Sequence, residues 1–198
     1  MCWPDPFCTQ GNFVSLVPLS LDHADDLAAA AADGDVHKLW YTSVPAPKAV
    51  PAEIERRLGL QKEGSMLPFA ILGKSSGKAV GMTTYMNIDA LNRRVEIGST
   101  WYRKAVQRSP FNTECKLLLL QHAFEELDCI AVEFRTHFLN RQSRAAIERL
   151  GAKLDGILRS HQQMEDGSLR DTVVYSIIAS EWLAVKANLA WQLEKPRS

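Results

Sequence analysis

Between residues 95 and 127 the hydrophobic period of the chain changes once, and that change limits what it can fold into. Val95-Glu96-Ile97-Gly98-Ser99-Thr100-Trp101 has the character of a strand. Gln107-Arg108-Ser109-Pro110 breaks the pattern, and the apolar run from Cys115 to Leu120 falls within a helix expected over 112–127. A strand feeding a helix through a turn is the repeating unit of a layered α/β sheet. The first N–H groups of a helix have no internal partners, and the helix dipole favours negative charge there. The stretch 107–114 is therefore a ready seat for a phosphate-bearing ligand.

The remaining segments add units of the same kind. Residues 13–19 read as a strand, and Ser20 caps an Ala-rich helix that runs to Ala32 and ends at Asp33-Gly34-Asp35. Residues 36–50 form a long connection carrying Trp40 and Tyr41, which either line a binding site or cover the core. A helix follows over 51–63, with Pro51 at its first position and Gly64 as its terminator. Strands at 67–72, 78–87 and 92–102 make a meander, the first two joined by Gly73-Lys74-Ser75-Ser76-Gly77. After the helix at 112–127 come a strand at 130–136 and a helix at 140–150 closed by Gly151. Strands at 152–161 and 171–179 flank Asp166-Gly167, and an amphipathic helix runs on from Ser180. The expected fold is a mixed α/β sheet whose second half reads β-α-β-α-β. Residues 1–12 read as a loose arm, 13–179 as the domain and 180–198 as a helical extension.

Composition excludes several classes of function. The formal net charge is zero, whereas a general nucleic-acid binder needs a surplus of Lys and Arg. No apolar run is long enough for a membrane-spanning helix, so no membrane partner is expected. The start, Met1-Cys2-Trp3-Pro4-Asp5-Pro6, lacks the basic and apolar regions of a signal peptide. Cys2, Cys8, Cys115 and Cys129 include no C-x-x-C pair, so no metal site is expected. They read as reduced thiols of a cytoplasmic protein, Cys115 as a small buried apolar residue.

Four segments carry a family likeness: Val95-Glu96-Ile97-Gly98; Gln107 through Glu114; Asn140-x-x-Ser143 with Arg149-Leu150-Gly151-Ala152; and Asp166-Gly167 followed by Asp171 and Tyr175. In this order and spacing they resemble the GNAT superfamily of N-acetyltransferases, and within it the ribosomal-protein (RimJ/RimL-like) branch. The resemblance implies a mostly antiparallel sheet of about seven strands flanked by helices, splayed between the fourth and fifth, with an extra C-terminal helix. It implies acetyl-CoA as cosubstrate and no metal. The pyrophosphate would lie on the backbone of Gln107, Arg108, Ser109, Phe111, Asn112 and Thr113. The pantetheine arm would insert between the splayed strands beside Ile97, Gly98 and Ser99, near Asn140 and Ser143.

Glu96 is the implied general base, with Glu133 and His137 behind it; alternatively Glu96 is an ion-pair partner of Arg93, Arg94 or Arg135. Many family members use a tyrosine as the acid, and Ile147 occupies that position here. Ser143 is the stand-in; its other reading, like that of Asn140, is helix capping. The acceptor would be a primary amine: a protein or peptide N-terminus, an aminoacyl compound or another small amine. Its groove would be lined by the 36–50 connection, the strand with Tyr85 and the 161–170 hairpin, with Trp40, Tyr41, Tyr85 and His161 as contacts.

Two departures stand out. Pro110 replaces a glycine and removes a backbone donor, and Asn112 stands where glycine or alanine is usual. They motivate a second reading, an acyl-CoA-binding or regulatory module that kept the fold and lost turnover. The last helix, with Trp182 and Trp191, either packs on the domain or forms a homodimer face.

Overall fold

The computed structural model describes residues 3–38, 40, 42, 44–164 and 166–195. One eight-stranded sheet organises them. Its strands are β1 (Thr9–Gln10), β2 (Val14–Pro18), β3 (Met66–Gly73), β4 (Ala79–Asp89), β5 (Arg94–Tyr102), β6 (Ala131–His137), β7 (Lys153–Gln163) and β8 (Leu169–Ile178). The spatial order is β1-β2-β3-β4-β5-β6-β8-β7. Every pair is antiparallel except β5–β6.

Strand parity sorts the side chains onto two faces. On one face Tyr85, Val95, Ile97, Val132, Phe134, Val173, Tyr175 and Ile177 join the larger core. Helices α3 (Phe111–Gln121) and α5 (Trp182–Glu194) supply Leu119, Leu120, Val185 and Leu189, and α4 (Arg141–Arg149) adds Ile147. On the other face α1 (Ala24–Ala32) and α2 (Val50–Lys62) bring Leu27, Ala30 and Ile54 against Ala70, Met82 and Trp101. That second layer reaches from Val17 on β2 to Trp101 on β5 and no further. Over β6 and β8 the same face carries Glu133, Arg135, Val174 and Ser176, and β7 beside them is exposed along most of its length. One half of the sheet therefore presents an open polar surface next to the edge of the α1–α2 layer.

The described part of the stretch expected as a loose arm is anchored. Thr9–Gln10 pairs with Leu16–Ser15, which raises the strand count to eight. The cause lies about a hundred residues away. The Glu114 carboxylate, 3 % exposed, accepts the backbone N–H groups of Asn12, Phe13 and Val14 at 2.7, 2.7 and 2.8 Å. Phe7 stacks on His122 at 3.5 Å between ring centroids and meets Phe69 edge-on at 4.9 Å. Glu114 thus does more than favour its own helix start.

The expected helix over 112–127 starts one residue earlier, and its α-helical part ends at Gln121. A π-helical turn over His122–Glu126 completes it. The last helix packs on the domain through Trp182, Val185 and Leu189, and Trp182 Nε1 donates to Glu125 at 2.8 Å. Cys115 is fully buried and burial pushes its thiol up, which suits a core residue rather than a nucleophile.

Candidate active site

The parallel pair holds together over three residues and then parts. Arg94, Val95 and Glu96 pair with Ala131, Val132 and Glu133; from Ile97 onward β5 has no partner on β6. A bulge accounts for the parting. The β4–β5 register shifts between Met82 and Thr84, and Ser99 takes φ +47° at the extra position. An inserted residue bends its strand and increases local twist, which swings the upper half of β5 away from β6. Gly98 belongs to the same device: a Cβ there would stand 2.6 Å from Met86 Sδ and 2.9 Å from a Glu96 oxygen.

Two buried cations hold the bulge from opposite faces. From α2, Arg57, 1 % exposed, donates through Nη1 to Thr84 Oγ1 at 2.8 Å and to the Ser99 carbonyl at 3.3 Å. Its Nε donates to Glu53 at 2.7 Å. From α3, Lys116, 5 % exposed, donates to Thr100 Oγ1 at 2.6 Å and Thr83 Oγ1 at 3.3 Å. Burial draws the Lys116 ammonium down to about 8. Sequence reasoning did not single out either cation; their only local signal is a charged residue on a helix face that otherwise buries apolar groups.

Because β5 and β6 run parallel, both lead out at the same end of the sheet, and the next helices, α3 and α4, begin there. Crevices at the carboxyl ends of parallel strands are the usual ligand sites of such sheets. At the start of α3, Pro110 is the cap residue and its carbonyl accepts the Glu114 N–H at 2.9 Å. Arg108 takes φ +58°, and Gln107 Nε2 donates to the Tyr102 carbonyl at 3.1 Å, tying the turn to the end of β5. Ser109 Oγ donates to the Val106 carbonyl at 2.5 Å and accepts the Phe111 N–H at 3.4 Å. The N–H groups of Asn112 and Thr113 have no helical acceptor. Arg108 is exposed and makes no ion pair among the described residues. This turn could seat a diphosphate on its free donors, with one donor fewer because of Pro110.

At the start of α4, Asn140 Oδ1 accepts the Ser143 N–H at 3.0 Å, so the capping reading of Asn140 holds. Ser143 is half-buried, and its hydroxyl makes no hydrogen bond among the described residues. Ile147 is buried on the inner side of α4.

Glu96 sits where the strands part, on the face of α2. It is 5 % exposed; Asn87 Nδ2 donates to its Oε2 at 2.6 Å and Arg135 Nε stands at 3.5 Å. Burial raises its pKa above the ordinary 4.5, against the opposing pull of Asn87 and Arg135. Glu133 shows the contrast one strand over. Burial pushes it up as well, but hydrogen bonds from Arg94 at 2.6 Å and Arg135 at 2.9 Å outweigh that and hold it below its usual range. Of the two, Glu96 has the more basic carboxylate. His137 is buried, its Nδ1 accepts the Leu139 N–H at 3.0 Å, and burial followed by the Arg170 charge lowers its pKa.

The open face continues from Glu96. A hollow of about 330 Å³ there is lined by Arg94, Glu133, Arg135, Asp155, Leu158 and Val174, among others. Trp40 stands edge-on to His137 at 5.1 Å, which brings the connection after α1 to the end of β6. His161, exposed on β7, has Nδ1 at 3.1 Å from Thr172 Oγ1, and Thr172 pairs with His137. Trp40, His137 and His161 therefore gather at one place. Tyr41 lies outside the described residues.

Tyr85 does not join them. It is fully buried, and its hydroxyl donates to the Leu119 carbonyl at 2.5 Å beneath α3. Parity is the reason: Tyr85 pairs with Ile97 on the core side, and the groove side of β4 is presented one residue later, by Met86 opposite Glu96. A second, mostly apolar hollow of about 480 Å³ lies beside Trp3, Pro4, Leu58 and Met66, and contains none of these groups.

Residues 14–153 match the model of an acetyltransferase (GNAT) domain. The Bacillus subtilis protein named "Putative ribosomal N-acetyltransferase YdaF" is 34 % identical over 106 residues, covering 54 % of this chain and 57 % of its own length. A GCN5-related N-acetyltransferase from Brucella melitensis superposes with a TM-score of 0.85 at 36 % identity, covering 95 % of this chain and 86 % of that one. RimJ of Mycobacterium smegmatis, solved in complex with CoA-disulfide, gives a TM-score of 0.78 at 22 % identity over 96 % of this chain and 95 % of that one, a likeness of fold.

Proposed function

The chain belongs to the GNAT family of acetyltransferases, and from that premise we propose that it transfers an acetyl group from acetyl-CoA to a primary amine by direct attack in a ternary complex. The observation that carries the proposal is the parting of β5 from β6, with helix starts at its mouth and the buried carboxyl of Glu96 at its base.

Each residue has a stated task. Backbone N–H groups of the 107–113 turn, with Arg108 beside them, hold the diphosphate. The free edge of β5 at Ile97, Gly98 and Ser99 offers backbone partners to the pantetheine amides and to the thioester oxygen. Arg57 and Lys116 keep that edge in its bulged form. Glu96, made more basic by burial, takes the amine's proton directly or through a water. The free hydroxyl of Ser143 donates to the departing sulfur. Bound acetyl-CoA supplies the activated acyl group and the thiol leaving group. The acceptor lies on the open face near Trp40, His137 and His161, whether it is a protein N-terminus or a small amine. The cytoplasm, where acetyl-CoA is available and thiols stay reduced, is the place for this reaction.

The test is thiol release and product mass with acetyl-CoA and a panel of amines. Turnover that falls at least about 100-fold in Glu96→Gln, with acetyl-CoA affinity retained, supports the assignment. Pro110 at the helix cap and Ile147 in place of a tyrosine favour a second reading, a module that binds acyl-CoA without turnover. Tight binding with no product from any amine would select that reading.

A further inference from the structure

Arg170, on β8, stands apart from the other arginines of the open face. Arg94 and Arg135 are paired with Glu133 at 2.6 and 2.9 Å, and Arg159 with Asp171 at 2.6 Å. Arg170 is half-buried and has no carboxylate partner among the described residues. Its Nε donates to Thr172 Oγ1 at 3.2 Å, and its two Nη groups make no hydrogen bond among those residues. Partly withdrawing a guanidinium from water without a counter-ion is unfavourable, so a fork left open in this way calls for a partner from outside the chain.

Its surroundings say where that partner would lie. Thr172, 2 % exposed, takes Arg170 on one side and His161 on the other, and it pairs across the sheet with His137, against which Trp40 stands. Arg170 and His161 thus meet at one buried hydroxyl, with His137 on the neighbouring strand and Trp40 against it, so that β6, the β7–β8 hairpin and the connection after α1 all contribute. Glu96 is the acidic group whose charge reaches Arg170, and the Arg170 charge is felt in turn at His137. The guanidinium therefore lies within electrostatic reach of the proposed base. Its planar fork matches the oxygens of a carboxylate or a phosphate.

We propose that Arg170 is the anion-recognising residue of the acceptor subsite, and that the acceptor is an amine bearing a carboxylate or phosphate a few bonds from its nitrogen. The anion lies on the open Nη fork and the amine faces Glu96. The inference rests on the N-acetyltransferase reading and narrows it from amines in general to anionic ones. A peptide N-terminus, whose first carbonyl is neutral, would lack the matching group.

The test uses acceptor pairs that differ only in the anion: glycine against glycinamide, and O-phosphoethanolamine against ethanolamine. A peptide with an N-terminal glycine is a third arm. The native protein is expected to favour the anionic member by on the order of 10- to 100-fold in kcat/KM, mainly through KM. The two pairs show whether carboxylate or phosphate is the ligand. In Arg170→Gln the ratio should collapse toward one, and Arg170→Lys should restore part of it, with acetyl-CoA titration confirming that both variants are folded. Equal use of neutral and anionic members by the native protein, or a preference that survives Arg170→Gln, would overturn the assignment while leaving the transferase reading intact. Absence of both acetyl-CoA binding and turnover would overturn the two together.

Discussion

Glu96 is the residue on which the chemistry turns, and its surroundings fix a sign. Burial disfavours the charged form, so the carboxylate gains its proton-accepting form only as pH rises through a pKa above the ordinary 4.5. The acidic limb of kcat/KM for the acceptor should therefore lie above the usual glutamate range and vanish in Glu96→Gln. Asn87 Nδ2 stabilises the charged form at 2.6 Å, so Asn87→Ala should move the limb to still higher pH. A limb that moves downward would contradict this account.

Lys116 makes an independent prediction. Its pKa is lowered from 10.5 to about 8, so its contribution to stability is fully present above 10.5 and is lost as pH falls toward 8. As pH rises through that window the native protein should gain stability relative to Lys116→Met by up to about 3 kcal/mol, read from denaturant midpoints at several pH values. Near pH 7 the substitution should be neutral or stabilising, because a well-packed apolar replacement avoids the cost of burying the charge.

Single residues were unevenly legible in the sequence. Glu96 could be chosen from the family likeness, with an ion pair to Arg93, Arg94 or Arg135 left open beside it. Tyr85 was misplaced because assigning a strand side chain to a face needs the register, and one residue reverses the answer. Arg170 carried no local signal. Its distinction is the missing partner, which only the assembled sheet displays.

At the scale of elements, the N-terminal strap departs furthest from expectation. Residues 1–12 have prolines and no period, so local reasoning reads them as loose. What holds the strap is Glu114, fixed in turn on α3. Charge-assisted hydrogen bonds are among the stronger ones, and three converge here. Glu114→Gln should cost about 2–4 kcal/mol and speed amide exchange at Asn12, Phe13 and Val14; unchanged exchange there would show that Phe7 packing alone secures the strap. The same helix ends at Glu126, one residue short of the expected end, but its last turn changes to a π-helical backbone that spacing alone does not reveal. The helix starts at 111 and 141 were close to expectation because proline suits a helix start and Asn140 is a side-chain cap, both written in the chain.

At the scale of the molecule, the order of strands and helices was readable, as was the split between a meander and a β-α-β-α-β half. The parting of β5 from β6 followed from family likeness, not from periodicity. Its physical cause, a bulge at Ser99 clamped by Arg57 and Lys116, depends on contacts between α2, α3 and two strands that no local pattern encodes. The open polar face follows from the same architecture, since α1 and α2 stop at β5. Among the described residues no helix is long and apolar enough to cross a membrane, and no cluster of side chains suits a metal ion.

The central claim is that acetyl-CoA lies between β5 and β6 with its diphosphate at the start of α3. Amide hydrogen exchange with and without acetyl-CoA tests it most directly. The account predicts slower exchange along residues 97–100 and 107–113, with the hollow beside Trp3 and Leu58 unaffected. Protection confined to that hollow, or no protection at saturating acetyl-CoA, would contradict it.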